Sequence, residues 1–328
     1  YQLLRECFPD AEIDLIPEQP GYPSYWNRRG GNPANYFDYV NKLKPDYLVL
    51  MGPVFRREMF SIWGHALEKL MDNGTQLVLL GVGAMTYAEA DIQLYRSFLS
   101  RFRPALMVTR DRDTFTLLGD LAEYSCDGID LAFFLSDYYP VNAIDSLADA
   151  IALNFDKLPE PRITINSSKP VSRDTFDFAG DRWQVEFPRF RQWLARSSRY
   201  GMFLEGVLYG GNDVEKIGHY DVVRLDHRPH PLLRAKTYRS PRTLVNDTPY
   251  PYLDIYGNAA LTLTGRVHAA AAALQYGKPA MLFTSSPRVR MLDRLGLEEI
   301  VNRPVWLDSA LLEDEKGKVK KFLKDYLG

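Results

Sequence analysis

Short runs of apolar residues recur along the first half of the chain, and segments with helical spacing separate them. The runs at Tyr47–Met51, 77–80 and 105–108 are apolar without alternation, which is typical of strands in a parallel sheet that is covered on both faces. At 58–71 and 92–102 the apolar residues recur every three or four positions, which predicts amphipathic helices. Strands that alternate with helices indicate an α/β fold with right-handed crossovers.

The second half of the chain repeats this alternation. Strands are predicted at 151–155, 202–208, 221–225, 261–264 and 280–284, and helices at 266–276, 289–295 and 309–327. The chain opens with a predicted helix at 1–8, followed by an alternating strand at 11–16. Because a helix followed by a strand is the back half of a βαβ unit, a further strand is expected before residue 1.

The length suggests two domains. At roughly 100–200 residues per domain, a chain of 328 residues fits an N-terminal α/β domain over 1–145, without its first strand, and a C-terminal α/β domain over 146–308. The final helix, at 309–328, can pack back on the first domain. Both domains are expected to be Rossmann-like, with mostly parallel sheets, and to face a cleft. Ligands of such sheets bind at the carboxyl ends of the strands.

Composition excludes several classes of protein. There are 40 Lys and Arg residues against 42 Asp and Glu, so the overall charge offers no case for a nucleic acid partner. The apolar runs are far shorter than the roughly 20 residues that a membrane-spanning helix needs. Cys7 and Cys126 lie far apart in sequence, which excludes a disulfide framework and favours a cytoplasmic location. Aromatic residues reach 13% and can either build the core or line a carbohydrate site.

The junction after the strand at 261–264 has the strongest chemical signal. Thr264 and Gly265 end the strand, and Arg266 and His268 begin the helix. Free N–H groups at a helix start favour an anion, Arg266 adds a forked cation, and His268 can exchange a proton near neutral pH. The alternative is a surface arginine beside a histidine that is satisfied in the core.

A second junction follows the strand at 105–108. Arg110 is expected to project toward the cleft, while Asp111 can cap the next helix; in the alternative, Arg110 pairs with a neighbouring acid. Gly81 and Gly83 follow the preceding strand and form a loop suited to close approach of a ligand. This loop is too short to indicate a nucleotide, and the sequence contains no phosphate-binding or dinucleotide fingerprint.

A third junction places Ser285, Ser286 and Arg288 after the strand at 280–284, where they bind an anion or simply cap a helix.

The basic stretch 224–242 is either a solvated loop or a wall for an anionic ligand. Its acids and histidines lack metal-ligand spacing, so no metal is expected. The basic amphipathic stretch 187–196 is either half-buried or a membrane-surface helix.

In their order along the chain, these motifs resemble those of the polysaccharide pyruvyl transferase family. The residues that carry the resemblance are Gly52; Gly81 and Gly83; Arg110, Asp111 and Thr114; Asp130, Ala132 and Phe133; Arg266, Val267 and His268; and Gly277 with Pro279. The stretch 140–250 matches least and leaves the acceptor sugar open.

The resemblance implies a glycosyltransferase-B-like pair of domains, of which the C-terminal one binds the donor. It implies that pyruvate moves from phosphoenolpyruvate to sugar hydroxyls of a cell-surface polysaccharide or its lipid-linked precursor, as a ketal and without a cofactor. We accordingly expect His268, Arg266 and Arg110 to be catalytic. The residues expected to bind substrate are Gly81, Gly83, Asp111, Thr264, Gly265, Ser285, Ser286 and Arg288.

Two other functions stay open at the level of sequence. One is a glycosyltransferase that uses a nucleotide sugar on the same fold, and the other is an inactive relative that only binds a glycan. A position at the inner face of the membrane is an alternative to the free cytoplasm. The sequence indicates no oligomeric state.

Overall fold

The computed structural model describes residues 1–15, 44–52, 54–155, 159–166, 168–170, 174–197, 199–208, 213–227, 240–284 and 286–327. The chain divides into two compact units, Tyr1–Phe134 with Ala310–Gly328, and Leu135–Ser309; the limits expected from the sequence are 145 and 308. Both units are α/β with mostly parallel sheets, which confirms the predicted fold class. In the described part of the chain, no helix is long and apolar enough to cross a membrane.

The first unit is built on a four-stranded parallel sheet. Its strands, in spatial order, are β1 (Tyr47–Met51), β2 (Gln76–Val82), β3 (Leu106–Thr109) and β4 (Tyr124–Asp127). The helices around it are α1 (Gln2–Cys7), α2 (His65–Asp72, preceded by a π-helical turn at Phe60–Gly64), α3 (Glu89–Arg101) and α4 (Arg112–Leu118). All four residues of β3 are buried, which explains why this strand is apolar without alternation.

Aromatic rings fill the space between this sheet and its helices. Phe98 lies between Phe60 and Phe102, with ring centroids 5.0 and 5.1 Å away. Tyr95 and Phe55 are fully buried in the same core, 5.7 Å apart. This part of the aromatic content therefore builds the core.

The second unit contains a larger sheet and a smaller one. Its strands are β5 (Ala150–Asn154), β6 (Arg162–Ile165), β7 (Thr175–Phe178), β8 (Asp181–Glu186), β9 (Lys216–Ile217), β10 (Tyr220–Leu225), β11 (Thr243–Leu244), β12 (Leu261–Thr264) and β13 (Ala280–Leu282). The larger sheet has the parallel order β11-β10-β5-β12-β13, with β9 antiparallel to β10, and the smaller sheet is antiparallel with the order β6-β8-β7.

The helices of the second unit are α5 (Leu135–Tyr138), α6 (Arg189–Ser197), α7 (Arg199–Leu208), α8 (Tyr250–Asn258) and α9 (Val267–Gln275). Short 3₁₀ helices cover Asp145–Leu147, Pro287–Leu295 and Glu298–Val301. The last helix of the chain, α10 (Ser309–Leu327), belongs largely to the first unit.

Contacts with residues from three parts of the first unit hold α10 there. Lys320 pairs with Glu6 of α1 at 3.0 Å, and its Nζ lies 5.9 Å from the centre of the Phe134 ring. Tyr326 packs on Tyr124 with ring centroids 4.4 Å apart. The last helix thereby packs against α1 near the beginning of the chain and against the first residue of β4.

Two strand predictions are wrong. The stretch 202–208 forms α7: Gly201 and Glu205 are buried whereas Leu204 and Leu208 are exposed, which is a repeat of four. Residues 11–15 have no regular secondary structure, and Leu15 is exposed; position 16 lies outside the described residues.

The loop after β4 leads into a 3₁₀ helix at Leu131–Phe134. Phe133 and Phe134 are buried in this turn, so adjacent apolar residues here reflect a tight helix packed into the core.

Candidate functional site

The carboxyl edge of the larger sheet is held by two fully buried polar side chains. The Thr264 hydroxyl at the end of β12 lies 3.1 Å from Asn154 Oδ1 and 3.2 Å from the Asn154 carbonyl at the end of β5. Asn154 Nδ2 donates to the Leu225 carbonyl at the end of β10, at 2.6 Å. Three neighbouring strand ends are therefore tied together, and sequence reasoning did not single out Asn154. In the sequence, Asn154 is visible as a single polar residue at the end of an apolar run.

The turn between β12 and α9 rests on the same two residues. The Gly265 N–H donates to the Asn154 carbonyl at 2.9 Å, and the Arg266 N–H donates to Thr264 Oγ1 at 2.9 Å. Arg266 is the N-cap of α9, and within the described chain its side chain makes no capping hydrogen bond. Ala269 to Ala273 are all buried, so the small side chains let α9 pack closely on the sheet. The helix start thus presents backbone N–H groups at a rigid strand end.

His268 is the second residue of α9, and it contacts Arg288 of the third predicted junction. It is exposed, and Arg288 Nη2 lies 3.2 Å from its Nδ1. Because a guanidinium can only donate, Nδ1 is the acceptor in this contact. The structure therefore brings His268 and Arg288 together, although they are far apart in sequence.

The start of the 3₁₀ helix at Pro287–Leu295 positions Arg288. Ser286 is its N-cap and accepts from the Arg288 N–H at 3.4 Å, while the Ser286 N–H donates to Thr284 Oγ1 at 3.2 Å. Upstream, the Phe283 N–H donates to the Thr264 carbonyl at 2.7 Å. The predicted residue Ser285 lies outside the described residues.

In the first unit, Arg110 occupies a different environment from Arg266. Its side chain is only 1% exposed, and Nη1 donates to Asp130 Oδ2 at 3.1 Å. Asp130 Oδ1 in turn accepts from the Ala132 N–H at 2.9 Å. Arg110 thus lies in a buried ion pair. The alternative expectation is a pair with a neighbouring acid, whereas the actual partner lies twenty positions away in sequence. The proximity follows from the parallel pairing of β3 with β4, after which the two residues lie.

Asp111 beside it organises the start of α4. Its Oδ1 accepts from the Thr114 N–H at 2.8 Å and from the Tyr87 hydroxyl at 2.7 Å. Burial, together with the negative charge of Asp111, raises the pKa of Tyr87 well above its usual value, so the phenol stays a hydrogen-bond donor. Sequence reasoning found the cap but not Tyr87, which lies in the loop before α3.

Gly81 and Gly83 make room for protein atoms in this unit. A Cβ at Gly83 would clash with Arg110 Nε and lie 2.9 Å from Asp111 Oδ2. Gly81 has φ +58°, and a Cβ there would lie 2.8 Å from Leu131 Cγ. The absence of a Cβ at Gly83 and Gly81 therefore lets the Arg110 and Leu131 side chains lie close to the backbone of this loop.

Gly83→Ala is expected to destabilise the protein by about 1–3 kcal/mol, because the added methyl must displace the buried Arg110. Urea unfolding would measure the loss. Gly317→Ala in α10 is the matched control: no atom lies within 4 Å of the added Cβ, and alanine is expected to be neutral or stabilising there. Equal stabilities of the two variants would contradict the packing role of Gly83.

A cavity of about 1030 Å³ lies in the second unit, between the smaller sheet and α6. Its charged lining residues are Glu160, Glu186 and Asp213, and Arg162, Arg191 and Lys216. Phe187, which also lines it, packs on Phe155 and Phe283 with ring centroids 5.8 and 5.5 Å away. Because acids and bases balance, this cavity does not select an anion.

Much of the basic stretch 224–242 lies outside the described residues, including Arg228, His230, Arg234, Lys236 and Arg239. Arg224 is buried and paired with Glu160 at 2.8 Å, and Arg242 pairs with Asp221 at 2.8 Å. His227 Nε2 lies 3.0 Å from the Tyr256 hydroxyl. The two described arginines thus have partners within the protein. Across the described ranges, no three His, Cys, Asp or Glu side chains form a group that could hold a metal ion.

Comparison with solved structures finds similarity along almost the whole chain at low sequence identity. A Staphylococcus aureus MnaA–UDP co-structure has a TM-score of 0.49 and 11% identity, over 99% of this chain and 80% of that one. Neisseria meningitidis UDP-GlcNAc 2-epimerase bound to UDP-GlcNAc has a TM-score of 0.48 and 10% identity, over 99% and 81%. The Methanocaldococcus jannaschii UDP-GlcNAc 2-epimerase has a TM-score of 0.46 and 12% identity, over 96% and 81%. A search among curated proteins finds no match.

Comparison with family models gives a match over most of the chain. The model of polysaccharide pyruvyl transferase matches residues 1–287, a range that includes β1 to β13 and the junctions at Arg110, Arg266 and His268. The resemblance seen in the sequence motifs is thereby confirmed. The chain belongs to the polysaccharide pyruvyl transferase family, which is a family of enzymes.

Proposed function

We propose that this enzyme takes pyruvate from phosphoenolpyruvate and joins it to two hydroxyls of one sugar as a ketal. Membership of the family establishes pyruvyl transfer to a polysaccharide; the donor and the ketal linkage are our proposal. In the reaction, C3 of the donor gains a proton and the bond between C2 and the phosphate oxygen breaks. Two sugar oxygens bond to C2, and the second hydroxyl proton leaves with the phosphate or solvent.

The contact of 3.2 Å between His268 and Arg288 at the start of α9 carries this proposal. Phosphoenolpyruvate has roughly three negative charges at neutral pH. Arg266, Arg288 and the backbone N–H groups of the α9 start are suited to such an anion. These cations and N–H donors support an anionic donor at this edge of the second unit.

His268 is the group in this arrangement that can move a proton. In the observed contact its Nδ1 lies against Arg288, which can only donate, so Nδ1 is the acceptor. An anionic donor is a stronger partner for Arg288 than an imidazole nitrogen, and its arrival leaves Nδ1 open. His268 then takes the proton of the attacking hydroxyl on Nδ1, and the resulting imidazolium gives a proton to C3, so that the ring returns to its starting state.

The donor can be tested directly with the full chain. Calorimetric titration with phosphoenolpyruvate is expected to detect binding, and incubation with it and a panel of lipid-linked or nucleotide-linked sugars should yield a product with an added pyruvate in mass spectra. Free phosphate should appear in equal amount. Binding of a nucleotide sugar alone, with transfer of its sugar, would instead indicate a glycosyltransferase. Binding of a glycan without any product would indicate an inactive relative.

Arg266→Ala is expected to weaken phosphoenolpyruvate binding about tenfold, since a hydrogen bond to a charged group contributes about 1.5–3 kcal/mol. Calorimetry would measure the change in affinity. Arg303→Ala is the matched control in the same unit, because Arg303 is 65% exposed and forms a long ion pair of 4.0 Å with Glu299. If both variants bind like the wild type, Arg266 does not hold the donor.

A further inference from the structure

A helical hairpin of the second unit carries an unusual density of exposed apolar side chains. The hairpin consists of α6 (Arg189–Ser197) and α7 (Arg199–Leu208). The exposed side chains are Phe190, Trp193, Tyr200, Leu204, Val207 and Leu208, which we call the apolar face of the hairpin. Trp193 is 64% exposed and Tyr200 is 79% exposed, and the Phe190 and Trp193 rings are 5.9 Å apart. Clustered exposure of this kind marks an interaction surface.

The opposite side of the hairpin is firmly packed. Glu205 of α7 is only 2% exposed and accepts from Arg191 Nη2 and Nε of α6 at 2.7 and 3.0 Å. Gly201 lies so close to the Leu194 carbonyl that a Cβ there would clash with it. The two helices are thus fixed against each other by a buried ion pair and a close crossing. Their exposed apolar residues are therefore held outward by a defined structure.

The charge of this segment has one sign. Between positions 187 and 204 the sequence contains Arg189, Arg191, Arg196 and Arg199 and no Asp or Glu. The next acid, Glu205, is buried in the ion pair. Over 189–208 the hairpin accordingly carries four arginines and one acid.

We infer that the apolar face of the hairpin docks on an anionic lipid surface. Tryptophan and tyrosine prefer the boundary between water and lipid, since their rings are apolar and carry one polar group, and arginines attract anionic headgroups. A helix of 9 residues such as α6 is far shorter than the roughly 20 that span a bilayer. It therefore lies in the plane of the interface.

A second copy of the chain is a poorer occupant. In a two-fold symmetric dimer the same patch of each protomer meets itself, so two hairpins with the same excess of arginines over acids would face each other. Like charges placed together oppose association. An anionic membrane satisfies both the apolar and the charged part of the surface.

The cavity described above lies beside the hairpin. Phe187 and Pro188, which immediately precede α6, line it, as does Arg191 of α6. Docking of the hairpin would bring this cavity next to the membrane surface.

The inference is tested by co-sedimentation of the full chain with vesicles of phosphatidylcholine, alone or with about 30% phosphatidylglycerol. We expect binding to the anionic vesicles, loss of that binding in high salt, and at least about tenfold weaker binding for the double variant Phe190→Ser with Trp193→Ser. Trp306→Ser is the matched control, because Trp306 is 58% exposed in the same unit but outside the hairpin, and it should bind like the wild type.

Calorimetry with phosphoenolpyruvate separates this inference from the proposed function. The double variant should keep the donor affinity of the wild type, because neither residue belongs to the donor site. The inference of a membrane surface would be overturned if the protein did not bind anionic vesicles. It would also be overturned if the double variant and Trp306→Ser lost vesicle binding equally. A dimer in light scattering that the double variant converts to monomer would overturn it in favour of a second copy.

Discussion

Replacing His268 by alanine is expected to lower kcat by about 10²–10⁴-fold, the range that a positioned acid–base group contributes. Phosphoenolpyruvate affinity should change only a few-fold, because the cations and the α9 start remain in place. Steady-state kinetics and calorimetry on the same preparation would measure both quantities. A variant with wild-type kcat would remove His268 from proton transfer.

A second substitution distinguishes proton transfer from hydrogen bonding. His268→Asn can still accept a hydrogen bond from Arg288, but an amide cannot exchange a proton near neutral pH. We expect its kcat to fall as far as that of the alanine variant. His219→Ala is the matched control, since His219 is exposed in the same unit, beside Tyr220 and away from the site. If the asparagine variant keeps full activity, His268 acts only by positioning Arg288.

The parallel sheets were predictable because burial on both faces leaves a plain mark in the sequence. β2 and β3 in the first unit and β5 in the second are almost wholly buried, so each contains a continuous apolar run. β12 is equally buried but alternates leucine with threonine. The wrong prediction at 202–208 has the same origin. An apolar run predicts a buried strand, whereas in α7 the run contributes to an exposed face.

The candidate site was predictable as far as strand order could be inferred. Carboxyl ends of neighbouring parallel strands meet at one edge, so residues after β12 and β13 could be expected near each other, and the contact between His268 and Arg288 fits that rule. The partners of these residues were not predictable. Asn154 acts through its side-chain amide across two strands, and such long-range hydrogen bonds leave no periodic signal.

Arg110 illustrates a further limit of sequence reasoning. Its position after β3 indicates a residue at the edge of the sheet, but its burial depends on Asp130 and on Gly83, which lie on other segments. Within the described chain, its Nη2 is buried and has no hydrogen-bond partner. A buried donor of this kind suits the oxygen of an anion, so a binding role for Arg110 stays a prediction beside its structural role.

Removing Asp130 should reveal the structural role of Arg110. Asp130→Ala is expected to lower the free energy of unfolding of the first unit by about 3–5 kcal/mol, because it leaves the Arg110 charge buried without its counterion. Urea unfolding followed by hydrogen exchange of the β3 amides would measure the change. Asp120→Asn is the control: it removes an acid from the exposed Arg96–Asp120 pair of the same unit and should cost at most about 1 kcal/mol.

The double variant Arg110→Met with Asp130→Leu then separates the two roles. Because no unpaired charge remains buried, most of the lost stability should return. If Arg110 Nη2 also holds the donor, this refolded variant will bind phosphoenolpyruvate about tenfold more weakly than the wild type; unchanged affinity would assign the pair to stability alone. If Asp130→Ala is no less stable than Asp120→Asn, the pair does not have the structural role that its burial implies.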